Sequence, residues 1–179
     1  MSAVLDRPRL TLPVGPRDHV RGPATAPLTV LEYGDYECPY CGAAHPVLNE
    51  VQRIMGPRLR FAYRHFPLTQ IHAHAYQAAE AAEAAGAQGR FWEMHDLLYV
   101  NQRRLTVPDL LAYAQALELD LERFAADLSE HRHAPKLRED FLSGVRSGVN
   151  GTPTLFINGV RYDRGYDLPT LLDSLRDAL

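Results

Sequence analysis

Long apolar runs are missing from this 179-residue chain. No stretch approaches the roughly 18 to 20 apolar residues that a bilayer-spanning helix needs, so the sequence is not expected to span a membrane. A secretory signal would need an apolar core of about 7 to 15 residues. Asp6, Arg7, Pro8, Arg9, Pro13, Pro16 and Arg17 interrupt every candidate near the N-terminus, and the expected location is cytoplasmic. Strong charge is absent too. A net charge of -3 gives no general electrostatic reason to bind nucleic acid or an anionic membrane, which leaves a protein or small-thiol substrate as the expected partner. There is no internal repeat. Cysteine is nearly absent, with two in the whole chain, so a framework of structural disulfides is excluded. In a reducing cytosol such a pair is more often catalytic or metal-binding. What is present, 46% hydrophobic and 23% charged residues, suits one sizeable core and one large domain.

The two cysteines stand as Cys38-Pro39-Tyr40-Cys41, directly after the apolar run Leu28-Thr29-Val30-Leu31-Glu32-Tyr33 and at the start of a helical pattern. A thiol in the first turn of a helix faces unpaired backbone N–H groups and the positive end of the helix dipole. Both favour the thiolate, the form that attacks sulfur. Residues at i and i+3 share a helix face with α-carbons about 5 to 6 Å apart, within the range a disulfide spans. The alternative, half of a zinc site, lacks the second ligand pair that zinc usually needs.

Along the chain, residues 1–27 hold five prolines and read as a lead-in arm, with a short edge strand predicted at Leu10 to Leu12. Leu28 to Tyr33 reads as a buried strand, and Pro39 opens a helix that runs past Pro46, where a kink is expected, to Gly56. Arg58 to Phe66 alternates Leu59, Phe61, Tyr63 and His65 against Arg58, Arg60 and Arg64, a strand pattern. Residues 67–148 turn wholly helical: an alanine-rich stretch at Ala73 to Ala87, helices around Phe91-Met94-Leu98, Leu110-Ala114-Leu117 and Leu121-Phe124-Leu128, and one from Pro135 to Val145. Thr106 with Asp109, and Asp120, are start signals. Thr154 to Ile157, Asn158-Gly159 and Val160 to Tyr162 make a hairpin, and Asp167 caps a last helix with Leu168, Leu171, Leu172 and Leu175 in a stripe. The order is strand, helix, strand, helical insert, hairpin, helix.

That order, with Glu32-Tyr33-Gly34-Asp35-Tyr36-Glu37-Cys38-Pro39-Tyr40-Cys41-Gly42 at the first strand-to-helix junction and Gly151-Thr152-Pro153-Thr154-Leu155-Phe156-Ile157-Asn158-Gly159 ahead of the hairpin, resembles the DsbA-like thiol:disulfide oxidoreductases of the thioredoxin-fold superfamily. Phe91-Trp92-Glu93-Met94-His95 supports the likeness, which covers residue 18 onward. It implies an α/β thioredoxin fold, β-α-β then β-β-α, with residues 28–66 and 149–179 forming the fold and 67–148 a large helical insertion.

The resemblance implies that Cys38 is the exposed attacking thiolate and Cys41 the buried resolving thiol. It matches Pro153 to a cis-proline facing them and Thr152 to a backbone that pairs with an extended substrate. By local pattern, Pro153 at the start of a strand with a trans bond is the lesser alternative. Glu32 matches a buried acid that exchanges a proton with Cys41 through water, although alternation alone would also allow it to face solvent. Pro39 and Tyr40 join Thr152 and Pro153 as substrate-binding residues. Glu37 beside Cys38, and Tyr40 in place of the histidine of the most oxidising members, should leave Cys38 less acidic than theirs, at roughly 5 to 7.

His72 and His74 read as a solvated pair, because positions two apart on a helix face different ways. His95 reads as a hydrogen-bonded core histidine, and Phe91, Trp92 and Met94 as core. Tyr36 or the Phe91 region is a further possible substrate contact. The expected activity is disulfide exchange by a monomer with no bound cofactor or metal, exchanging electrons with another thiol system. A glutathione-linked enzyme of the same fold and a non-catalytic redox-sensing module are the alternatives.

Overall fold

The computed structural model describes residues 7–179, with a run of five helices between two groups of strands. The elements are β1 (His19–Arg21), β2 (Leu28–Gly34), α1 (Pro39–Met55), β3 (Leu59–His65), α2 (Ala75–Gly86), α3 (Phe91–Val100), α4 (Val107–Ala116), α5 (Leu121–Ser129), α6 (Ala134–Arg146), β4 (Thr154–Ile157), β5 (Val160–Tyr162) and α7 (Leu168–Asp177). One sheet holds the strands in the order β1-β3-β2-β4-β5, with β2 and β3 parallel and the other neighbours antiparallel. A β-α-β unit and a β-β-α unit are thus joined by the inserted helices α2 to α6, a thioredoxin-like fold. Among the described residues no helix is long and apolar enough to cross a membrane.

Strand β2 reads as an unbroken apolar run because both of its faces are covered. Leu28 and Val30 face Leu48, Val51 and Met55 of α1 in one core. Leu31 and Tyr33 face the other way, into a second core with Ala62, Phe66, Val149 and Phe156, closed by Leu10, Val14, Leu68 and Phe141. At about 1.5 to 3 kcal/mol for each large apolar side chain fully buried, the two layers outweigh the cost of one buried acid. That acid is Glu32. It falls on the α1 side, level with Tyr63 of β3 on one flank and Leu155 of β4 on the other.

Helix α1 buries Cys41, Ala44, His45, Leu48, Val51 and Met55, a stripe at helical spacing, and continues through Pro46. It stops at Gly56, whose φ of 53° a side chain would oppose. Sequence-predicted caps are in place: Thr106 and Asp109 form a capping box, Asp120 accepts from Arg123 N, and Asp167 accepts from Thr170 N.

The arm differs from its sequence reading; its residues 1–6 lie outside the described residues. No strand forms at Leu10 to Leu12. Instead Arg9 bridges Val160 beside β5, with Leu10 N donating to Gly159 O and Arg161 N to Pro8 O, and His19–Arg21 pairs with β3 at the opposite edge. The arm therefore crosses one sheet face, hydrogen-bonding the β5 edge and ending as the short edge strand β1 at the other. Arg64 explains why it stays. Alternation places this residue on the solvent side of β3, yet it is buried, because the arm lies over that face and supplies acceptors. Its guanidinium donates to both Asp18 carboxylate oxygens at 2.7 and 2.9 Å, to the Leu12 and Pro13 carbonyls at 2.8 and 3.0 Å, and to the Tyr33 hydroxyl at 3.0 Å. A buried guanidinium without such partners would be strongly unfavourable.

Candidate active site

The turn after β2 sets up the helix that carries both cysteines. Gly34 has no room for a side chain: a Cβ would lie 2.6 Å from the Tyr63 ring and from the Tyr99 hydroxyl. Asp35 follows, buried, with four donors on its carboxylate. Oδ1 accepts from Glu37 N at 2.8 Å and Cys38 N at 3.2 Å, and Oδ2 accepts from Leu68 N at 2.8 Å and lies 2.8 Å from His72 Nδ1. Asp35 thus satisfies the N–H groups ahead of α1, and Pro39 at the first helical position has none to satisfy. The N–H groups of Tyr40 and Cys41 are left for sulfur.

Cys38 is the N-cap residue of α1, in an extended conformation. Its pKa falls to about 5. The Cys41 thiol, donating to it, is the largest cause; burial opposes; Thr152 and the N–H groups of Cys41 and Tyr40 complete the lowering. Cys41 moves the other way, pushed well up by burial, by the hydrogen it gives to Cys38, and by the negative charge of Glu32. Glu32 rises to about 8, through burial first and then the charge on Cys38. Both thiols are free. The sequence reading of Cys38 as exposed needs correction, since only 3% of the residue is accessible. Its neighbours in the first turn of α1 and the Thr152 loop close over it.

That loop follows α6. The Thr152–Pro153 peptide is cis, and in the thiol form Cys38 Sγ donates to the Thr152 carbonyl at 3.4 Å. The Thr152 hydroxyl and Glu32 Oε1 are both buried without a partner in the dithiol state. An orphaned hydroxyl beside sulfur gains an acceptor when the thiol ionises, which is how Thr152 lowers the Cys38 pKa. A groove of about 350 Å³ runs between Tyr40, Ala43 and Ala44 on α1 and Thr152, Pro153 and Tyr166 opposite. Pro39 is exposed beside it, and Tyr40 is 75% exposed.

Three residues of the insertion grip the cysteine turn. The Gln102 amide donates to Tyr36 O at 2.9 Å and Cys38 O at 2.8 Å. His72 bonds Asp35. His74 engages Glu37, its backbone N at 2.6 Å from Oε2 and its Nδ1 at 3.0 Å from Oε1. The solvated helical pair expected from sequence is therefore replaced by two clamps, because residues 69–74 form turns and α2 begins only at Ala75. Glu37 is drawn to His74, and the largest influences on Cys38 are other groups.

Tyr36 is buried, with its hydroxyl 2.9 Å from His95 Nδ1, so it cannot touch substrate; Phe91 is buried as well, and Trp92 is half-buried. Asp35, Gln102, His72 and Tyr166 were not assigned from sequence. Only Asp35, inside the motif after a glycine, carried a turn signal. Two histidine–acid groups come together among the described residues, His45-His95-Asp96 and His65-Glu83-Asp140, and neither includes a cysteine. Their acids already hold Arg21, His65, His19 and Lys136.

The chain matches the thioredoxin family model across residues 15–175. The solved structure of oxidised BdbD from Bacillus subtilis superposes with a TM-score of 0.82 at 22% identity, covering 90% of this chain and 92% of that one. A thioredoxin-like oxidoreductase from Silicibacter pomeroyi gives 0.81 at 26% identity, covering 92% and 93%. Among curated proteins, a Na(+)/H(+) antiporter NhaA 1 of Salinispora arenicola is 51% identical over 170 residues, which is 94% of this chain and 26% of that protein. The chain thus spans about a quarter of the length of such relatives. With both motifs meeting at one helix terminus and the family match running nearly end to end, this chain belongs to the thioredoxin family and has the DsbA-like form of its fold.

Proposed function

We propose that this chain is a thiol:disulfide oxidoreductase acting on protein substrates. The observation that carries the reading is the opposite displacement of two thiols one helical turn apart: Cys38 down to about 5 and Cys41 well up, with a buried carboxyl beside them. At neutral pH the first is a thiolate and a nucleophile, and the second is a reserve that acts only once it loses a proton.

In the reducing direction, Cys38 S⁻ attacks one sulfur of a substrate disulfide. A Cys38–substrate bond forms, the substrate S–S bond breaks and the other substrate sulfur leaves as thiolate. The Cys38–substrate bond removes the Cys38 charge that helps keep Glu32 protonated, so Glu32 loses its proton to water, takes the one on Cys41, and the Cys41 thiolate attacks Cys38 Sγ, forming the Cys38–Cys41 disulfide and releasing the second substrate thiolate. The substrate gains two electrons and the protein loses them to its own disulfide. The reverse sequence oxidises a substrate dithiol. No bound cofactor is required, because the sulfur pair carries the electrons until another thiol system exchanges with it. The reduction potential decides the direction.

The surroundings favour a protein substrate over glutathione. The six groove residues are all neutral and offer no cation to the glutathione carboxylates. Tyr40, Ile71 and Val100, at 75, 72 and 69% exposure, are the most exposed large hydrophobics among the described residues. Ile71 adjoins His72 and Val100 lies two residues before Gln102, so both flank residues that touch the cysteine turn. Exposed apolar side chains on these segments suit the apolar surface of an incompletely folded chain.

The test is insulin reduction and mixed-disulfide trapping. Wild type should turn over, Cys38→Ser should be inactive, and Cys41→Ser should accumulate a covalent adduct through Cys38. Turnover that survives Cys38→Ser would defeat the proposal.

A further inference from the structure

Tyr166 belongs to neither cysteine motif and lies in the loop between β5 and α7, thirteen residues beyond Pro153. Its hydroxyl donates to the Pro153 carbonyl at 3.0 Å, and its ring walls the groove opposite Tyr40. The Tyr162 ring packs edge-on against it at 6.0 Å. The Tyr162 hydroxyl in turn donates to Gly165 O at 2.5 Å, which holds the loop. Burial, and next the charge of Glu32, push the Tyr166 hydroxyl up to about 12, so it remains a donor across the working pH range.

From this geometry we infer that Tyr166 is a positioning residue for disulfide exchange, holding the Thr152–Pro153 segment against Cys38, and that its ring determines which side chain can sit beside the substrate cysteine. The inference rests on the thiol–disulfide reading above. The proline ring fixes φ at residue 153, so the rotation left at that residue is the one its carbonyl reports. Anchoring that carbonyl from one side, while Thr154 Oγ1 donates to Gly151 O at 2.8 Å from the other, fixes where the Thr152 carbonyl and hydroxyl meet Cys38 Sγ. Those two Thr152 groups are the part of the sulfur's surroundings that α1 does not supply. Tyr166 also makes the groove aromatic on both sides over an alanine floor, which fits an uncharged, apolar side chain next to the reacting sulfur.

The experiment uses the full chain with Tyr166→Phe and Tyr166→Leu. Substrates are two short peptides with a mixed disulfide, one with phenylalanine and one with glutamate beside the cysteine, and glutathione disulfide as the non-peptide control. Tyr166→Phe keeps the wall and removes the hydroxyl. It should lower kcat about fivefold, as loss of a neutral hydrogen bond of about 1 kcal/mol would, with little change in KM and an upward shift of the Cys38 alkylation midpoint. Tyr166→Leu should in addition raise KM for the phenylalanine peptide and reduce the preference for it over the glutamate peptide, while its kinetics with glutathione disulfide stay at the Tyr166→Phe values. A merely structural tyrosine would lower thermal stability without moving the alkylation midpoint or the peptide preference. Midpoint, kcat and preference all at wild-type values in both variants would overturn the inference. Absence of Cys38-dependent exchange in the wild type would instead sink the oxidoreductase reading itself.

Discussion

Gln102 and Cys38 are sixty-four residues apart in sequence, and the amide of the first donates to the carbonyl of the second at 2.8 Å. The same nitrogen reaches Tyr36 O, so one side chain of the insertion holds both sides of the cysteine turn. Gly42 is what lets it in, for a Cβ there would lie 2.0 Å from Gln102 Oε1.

Gln102→Ala should therefore cost about 1 to 2 kcal/mol of stability, the worth of two neutral hydrogen bonds, and raise the Cys38 pKa by removing the positive end of an amide dipole. Gly42→Ala meets only the end of a flexible side chain. It should displace Gln102 and reproduce the pKa rise, while its stability cost is offset by up to about 1 kcal/mol of helix propensity. The double variant should show less than the sum of the two pKa shifts. Additive shifts, read from alkylation rate against pH, would mean that the two residues act independently.

Glu32 is raised to about 8 from an unfolded value of 4.5. The folded protein then holds a proton that the unfolded chain gives up, so this group costs nothing below about pH 4 and progressively destabilises the fold as pH climbs through 8. Glu32→Gln should unfold at a higher temperature than wild type at pH 8, with the difference vanishing near pH 4. The limit is of the order of 5 kcal/mol at about 1.4 kcal/mol per unit. The same variant should slow the step in which Cys41 attacks, leaving alkylation of Cys38 intact. Loss of the first step instead would remove Glu32 from its proposed place beside Cys41.

Glu83 is the opposite case. Burial alone would raise its pKa, but hydrogen bonds from His19 at 2.9 Å and His65 at 2.7 Å outweigh burial and hold it below the usual carboxylate range. Its contribution is complete above the ordinary glutamate pKa and is lost as pH falls below it. Glu83→Gln should cost about 3 to 5 kcal/mol at pH 7 by leaving the buried His65 and the half-buried His19 poorly paired, and progressively less below pH 4. Denaturant midpoints at the two pH values check this.

Arg64→Lys keeps the charge and loses the planar fork that reaches Asp18, Tyr33 and two arm carbonyls together. The expected loss is about 3 to 5 kcal/mol, with the arm becoming the first site of proteolytic cleavage. Cleavage that starts in the insertion would show that the arm is held by other contacts.

Local chemistry accounts for what could be read along the chain. Pro39 at the helix start, Asn158-Gly159 between apolar runs and Asp167 before a leucine stripe each act within a few residues, so their elements form where the pattern puts them. Cys38 and Cys41 belong to the same class, since the turn and helix that set their environments are written beside them. His72 and His74 show the limit of this reading. Their alanine-rich neighbourhood points to helix, whereas the acids that hold them out of α2, Asp35 and Glu37, are thirty-seven residues earlier. Arg64 fails in the same way, because period two assigns a face but does not say what will cover it.

The order of elements, the helix terminus that acidifies one sulfur, and the apolar strand that must be buried on both sides are all legible in the residues as written. These follow from backbone hydrogen bonding and side-chain periodicity, which act over a turn or two of chain. Long-range packing is what covers Cys38, sets Glu32 beside the thiols with an unpartnered oxygen, and brings Gln102 and Tyr166 to the site. Those outcomes depend on burial and on partners brought from distant segments, and a polar group's cost or benefit is set only when its neighbours arrive.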